Sequence, residues 1–192
     1  MVSDPRLETI DRVFAGAIRA HEAARSADQG ALLRAIDAIA DAFRSRRRLL
    51  VFGNGGSAAD AQHFAAEFVG RFQRERRALA AVALTTDTCI LTAIGNDDTY
   101  DRVFARQVEA LGESGDVAFG ITTSGGSTNV IEAFRVAKAR QLTTIALTGR
   151  DGGDAGRMAD IHLNVPDPST ARAQEVHRTL LHAICEVVEG GL

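Results

Sequence analysis

Apolar residues recur at helical spacing over residues 5–24 and 28–46, with Ala, Arg and Glu filling the remaining positions, so the chain is predicted to open with two helices. Asp28 stands where the second helix needs an N-cap. The rhythm then changes. RLLVFG at 48–53 is a short apolar run that stops in NGGS, the pattern of a buried parallel strand ending in a glycine turn. The unit recurs: AAVAL (80–84) runs into TTD, DVAFGI (116–121) into TTSGGS, LTTIALTG (142–149) into RDGG, and DIHLNV (160–165) into PDPST. Helical patterns occupy 58–72, 88–94, 100–111 and 128–140, and a last helix spans about 170–188.

Strands alternating with helices imply a parallel sheet covered on both faces. The expected fold is α/β: a three-layer αβα sandwich with a central five-stranded parallel sheet, preceded by the two N-terminal helices. The helices belong to the same single domain, because no linker or low-complexity segment divides the chain. Ligands of open parallel sheets bind beyond the carboxyl ends of the strands, which brings loops 53–57 and 122–127 to one edge.

Composition adds limits. The 192 residues are 45% hydrophobic and 24% charged, enough for a core without disulfides or structural metals. A net charge of −3 gives no general attraction to nucleic acid. The opening MVSDPRLETIDRVF is too charged for a signal peptide, and no apolar run approaches the ~18 residues of a membrane span. A cytoplasmic location is expected. Cys89 and Cys185 stand in apolar surroundings outside any CxxC pair and are expected to be two buried thiols.

Loop 122–127 reads Thr-Thr-Ser-Gly-Gly-Ser and opens a helix. Hydroxyls at Thr122, Thr123, Ser124 and Ser127 can donate to phosphate oxygens, and the helix start adds free N–H groups and its positive dipole end. A plain turn with a Ser N-cap is the competing reading, but four hydroxyls exceed what a cap needs. The loop lacks the Gly-Lys-Ser/Thr ending of a Walker A motif and the GxGxxG dinucleotide pattern, so a small phosphorylated metabolite fits better than a nucleotide. Loop 53–57, Gly-Asn-Gly-Gly-Ser, is a weaker signal of the same kind: Asn54 can hold a sugar hydroxyl, and Gly55 and Gly56 expose backbone N–H groups.

His63 and Glu67 lie four apart on one helix face, a spacing that serves a metal site, a general acid/base couple, or a surface ion pair worth under ~1 kcal/mol. Gln174 and His182 lie eight apart near one face of the last helix, with His177 about sixty degrees away from Gln174. His162, in a strand, reads as half-buried and structural.

Three stretches carry a specific resemblance: FGNGGSAADAQHFAAEFVGRF (52–72), ALTTDTCILTAIGNDDTYDRVFARQVEALGESGDV (83–117) and RAQEVHRTLLHAICEVVE (172–189). They resemble the phosphoheptose isomerases, within the sugar isomerase (SIS) domain class, from about residue 48 to the end. The resemblance implies isomerisation of sedoheptulose 7-phosphate to D-glycero-D-manno-heptose 7-phosphate through an enediol(ate), supplying heptose for lipopolysaccharide or a related glycan. It implies one zinc ion (Zn2+) per subunit, held by His63, Glu67, Gln174 and His182, with Glu67 and His182 also as base and acid. It implies substrate contacts from Asn54, Gly55, Gly56, His63, Glu67, Asn96, Asp97, Thr122, Thr123, Ser124, Ser127 and Gln174. It also implies a homotetramer whose sites draw residues from neighbouring subunits, with no nucleic-acid or membrane partner. The sequence departs from the family pattern at Thr122, where Ser is commoner, at Gly126, and at Asp98-Thr99.

Three other functions remain to be weighed. One is a non-enzymatic SIS-domain adaptor resembling the protein that associates with the replication initiator DnaA. That adaptor lacks counterparts of Glu67 and His182. A second is a sugar-phosphate sensor, usually part of a DNA-binding regulator, for which no helix-turn-helix or basic stripe is present. The third is an isomerase of another phosphosugar.

Overall fold

The computed structural model describes residues 4–192. Helix α1 (Pro5–Ser26) starts at Asp4, whose carboxylate accepts from the Arg6 N–H, with Pro5 in the first turn. Helix α2 (Gly30–Arg44) begins one residue later than a cap at Asp28 would set it. Gln29 takes the cap position, and Asp28 accepts from the Gly30 N–H at 3.0 Å. The Gln29 amide donates to the carbonyls of Ala24 and Ala27, so the turn between the helices is tied back onto the end of α1.

The alternating elements follow: β1 (Leu49–Gly53), α3 (Gly56–Val69), β2 (Ala81–Ala83), α4 (Thr88–Asp97), α5 (Ala105–Leu111), β3 (Val117–Thr122), α6 (Thr128–Ala139), β4 (Thr143–Gly149), α7 (Gly153–Met158), β5 (Ile161–Val165) and α8 (Thr170–Gly190). The five strands form one parallel sheet in the order β2-β1-β3-β4-β5. The expected three-layer αβα sandwich is what the chain adopts.

Two segments differ from the sequence pattern. The stretch 100–111 is not one helix: Tyr100–Arg102 forms a 3-10 turn capped by the Thr99 hydroxyl, and α5 starts only at Ala105. α7 occupies a stretch that reads as loop, since six residues beginning with glycine are too few to show a helical period.

Side chains alternate across the sheet. On one face Leu49, Val51, Phe119, Ile121, Ile145 and Leu147 pack with α2, α3 and α8 around Phe43, Phe64 and Phe68. On the other, Leu50, Phe52, Ala118 and Ala146 pack with α5, α6 and α7 around Phe104 and Phe134. Cys185 is buried in the first core, but Cys89, expected to be buried, is exposed. It lies on α4, none of whose residues is buried; only Leu91 and Ile94 lean on the second core.

Candidate active site

β3 ends at Thr122 and the chain turns through Ser124–Ser127 into α6. Gly125, at φ +68°, crosses so close to Gly152 that a Cβ would stand 2.1 Å from its carbonyl oxygen, so only glycine permits this turn. Ser127 occupies the N-cap position of α6, yet its side chain makes no cap hydrogen bond. Its hydroxyl bonds Thr122 Oγ1 at 2.9 Å, and Ser124 Oγ accepts from the Gly126 N–H at 3.2 Å. Ser124 thus serves the turn, whereas Ser127 is not used as a cap. They line a cavity of about 300 Å3 together with Thr123, Asn54, Gly55, Gly56 and Gln174.

The two loops are joined by a residue that sequence reasoning missed. Asn129, buried in the first turn of α6, exchanges two 2.9 Å amide hydrogen bonds with Asn54. Nothing in the local pattern marks it, because its partner is 75 residues away.

α3 and α8 lie side by side and run in the same direction with a nearly constant offset. Gly56 abuts Gln174, where an added Cβ would come within 2.6 Å of Nε2. Asp60 pairs with Arg178. His63 meets His182, with Nε2 atoms 2.8 Å apart. Beyond α3, the N–H groups of Phe72, Gln73 and Arg74 are held by the Glu189 carboxylate. This register places a second cluster further along the pair: His63 Nε2 also lies 3.2 Å from Glu67 Oε1, and ligating atoms of His63, Glu67 and His182 fall within 4.8 Å of one another. Burial depresses the His182 pKa, and the neighbouring His63 and Arg178 lower it further against the pull of Glu67 and Asp60. Phe72 walls the cluster, its ring centroid 5.5 Å from that of His182.

Three of the four residues expected to hold metal thus converge. Gln174 is two turns of α8 from His182, about 12 Å along the axis, and stands instead between the glycine loop and the hydroxyl loop. Asn96 and Asp97 sit exposed on the last turn of α4, bonded to each other at 2.7 Å and outside the hydroxyl-lined cavity. His177 is fully buried and turned inward, its Nε2 2.9 Å from the Thr148 carbonyl. His162 bonds the Thr148 hydroxyl at 2.7 Å and packs on Gly152 and Gly156.

The chain combines a doubly covered parallel sheet with a hydroxyl-rich loop after one central strand and a His/Glu cluster on flanking helices, and the family model described as SIS domain matches residues 14–149. A phosphoheptose isomerase of Neisseria gonorrhoeae is 52% identical over 188 residues, covering 96% of this chain and 95% of that protein. One of Geobacter sulfurreducens is 60% identical over 151 residues, covering 79% and 80%. The solved structure of phosphoheptose isomerase GmhA from N. gonorrhoeae superposes with a TM-score of 0.91 at 49% identity, covering 96% of this chain and 98% of that one. The chain belongs to the phosphoheptose isomerase family, within the SIS domain class, and is an isomerase.

Proposed function

We propose that this protein converts sedoheptulose 7-phosphate to D-glycero-D-manno-heptose 7-phosphate in the cytoplasm, as a homotetramer carrying one zinc ion per subunit. The observation that carries this reading is the α3–α8 register. It sets the hydroxyl loop and the His63–Glu67–His182 cluster about two helical turns apart. An open seven-carbon sugar with a terminal phosphate spans a comparable distance, so the phosphate can rest on Ser124 and Ser127 while C1 and C2 lie at the cluster.

Thr122, Thr123, Ser124 and Ser127, with the start of α6, hold the phosphate oxygens. Asn54, Gly55, Gly56 and Gln174 border the chain beyond it. Glu67 takes the proton from C1; the electrons of that bond form the C1–C2 double bond of the enediol(ate), and the same carboxyl returns a proton to C2. His182 moves the second proton between O1 and O2. Two imidazoles and a carboxylate make a donor set suited to zinc, so His63, Glu67 and His182 would hold the ion, while Gln174 stands two turns away at the hydroxyl loop. Bound there, zinc supplies Lewis-acid stabilisation of developing negative charge on the substrate oxygens.

Asn96 and Asp97 are exposed and apart from the cavity of their own chain, which suits a contribution to a neighbouring copy's site. α1 supports assembly. Leu7, Ile10, Phe14 and Ile18 form an apolar stripe on a helix that buries only Ala20 among its own residues. Glu67 and His182, both in the cluster, favour catalysis over the adaptor reading. The deciding experiment follows sedoheptulose 7-phosphate with the purified protein. Turnover that chelator abolishes and zinc restores is expected; absence of turnover in the presence of zinc refutes the reading.

A further inference from the structure

Gln174, Arg178 and His182 succeed one another at intervals of four residues along one face of α8. The first borders the hydroxyl loop and the last belongs to the acid/base cluster, so Arg178 stands between the phosphate end and the reacting end. Its guanidinium is held by Asp60, a carboxylate buried on the facing turn of α3, through one Nη2–H. Among the described residues no other hydrogen bond occupies it, and 43% of the side chain is exposed. Arg178 lines a cavity of about 540 Å3 that shares Gly56 and Gln174 with the hydroxyl-loop cavity. Glu175 lines it too: its Oε1 pairs with Arg172, while its Oε2 is buried without a hydrogen bond.

We propose that Arg178, oriented by Asp60 and lining this cavity, recognises the mid-chain hydroxyls of the sugar phosphate and thereby sets specificity for its polyol segment. The inference rests on the isomerase reading above. Each hydroxyl oxygen of a polyol can accept a hydrogen bond, and the cavity presents free guanidinium N–H groups to donate it. The Asp60 anchor matters because an arginine fixed at one nitrogen keeps its remaining donors in a set direction. Arg178 also compensates the buried Asp60 carboxylate, and it does so through one nitrogen while its other donors stay free.

The test compares the unmodified enzyme with Arg178→Met on sedoheptulose 7-phosphate, on its 4-, 5- and 6-deoxy analogues, and on inorganic phosphate as a binding probe. Loss of a charge-assisted hydrogen bond should lower kcat/KM for the full sugar by roughly tenfold to a hundredfold. Phosphate binding should be unchanged. At least one deoxy analogue, lacking the contacted hydroxyl, should be turned over equally by both proteins. If Arg178→Met destabilises the fold by leaving Asp60 unpaired, the double variant Asp60→Asn/Arg178→Met removes that charge and should show the same pattern. An Arg178→Met enzyme that handles the full sugar as well as the unmodified one overturns the inference, as does an equal loss on the sugar and every analogue. Failure of the unmodified enzyme to turn over sedoheptulose 7-phosphate overturns the isomerase reading itself, and the inference with it.

Discussion

Asn54 and Asn129 exchange two amide hydrogen bonds of 2.9 Å, one from each side chain, and so lock the glycine loop after β1 to the helix that follows the hydroxyl loop after β3. Neither loop can shift without breaking the pair. Asn129→Asp keeps the size but removes the donor that Asn54 needs and adds negative charge under a phosphate site. KM for the sugar phosphate should rise at least about tenfold, since an unmet buried polar group costs roughly 1–3 kcal/mol, while kcat changes less. Steady-state kinetics over a range of substrate concentrations check the split; an unchanged KM contradicts the coupling of the two loops.

Acid stability should depend on Glu189. Burial acts to raise its carboxyl pKa, but the N–H groups of Gln73, Arg74 and Phe72, together with Arg76, outweigh burial and hold it below the usual range. A depressed folded-state pKa means that this contribution is fully present above the unfolded value of about 4.3 and is lost as pH falls through the folded value. His177, lowered by burial, acts in the same direction at higher pH: its contribution is full above about 6.5 and declines as the unfolded chain takes up a proton that the folded one resists. Glu189→Gln should cost about 3 kcal/mol near neutrality and flatten the acid limb below pH ~4.3. Urea unfolding across pH measures both; an unaltered acid limb would show that other carboxylates govern it.

The sheet was legible in the sequence because buried parallel strands are short apolar runs, and each of the five ends in a run of turn residues. α7 was not, being one turn and a half beginning at Gly153. The exposure of Cys89 was hidden because apolar neighbours suggest burial, whereas α4, which follows the edge strand β2 in the chain, buries none of its residues. In the site, His63, Glu67 and His182 could be paired by helical spacing and family resemblance, but the α3–α8 register that brings His182 to His63 joins residues 119 apart. Asn129 and Arg178 carry no local signal at all. Their partners, Asn54 and Asp60, are set by how the helices pack.

The exposed stripe on α1 predicts the oligomeric state. Leu7, Ile10, Phe14 and Ile18 are 52–66% exposed and spaced to lie along one side of the helix, which is otherwise tied to α8 through Arg172 and His21. Light scattering should give four times the 20.4 kDa chain mass. Phe14→Glu with Ile18→Glu should shift the protein to smaller species without unfolding it, because neither side chain serves the core. A native protein that is monomeric and fully active contradicts the tetramer.

Glu67 and His182 should be chemically essential, whereas His177 and His162 should not. The first two meet at His63 Nε2 on the α3–α8 seam, at the end of the site where C1 and C2 would lie. Glu67→Gln preserves shape but removes the base and weakens metal ligation, so kcat should fall by at least ~10²-fold, and His182→Gln should do likewise. Metal analysis separates the causes: a variant that keeps zinc and loses turnover has lost proton transfer, and one that loses both has lost a ligand. His177 bonds the Thr148 carbonyl from a fully buried position, and His162 bonds the Thr148 hydroxyl behind the same strand. His177→Gln should therefore lower stability by roughly 1–3 kcal/mol. Below its melting temperature it should keep kcat within a few-fold of the unmodified enzyme, as should His162→Gln. Near-normal kcat in both Glu67→Gln and His182→Gln would refute the proton-transfer roles and return weight to the adaptor or sensor reading.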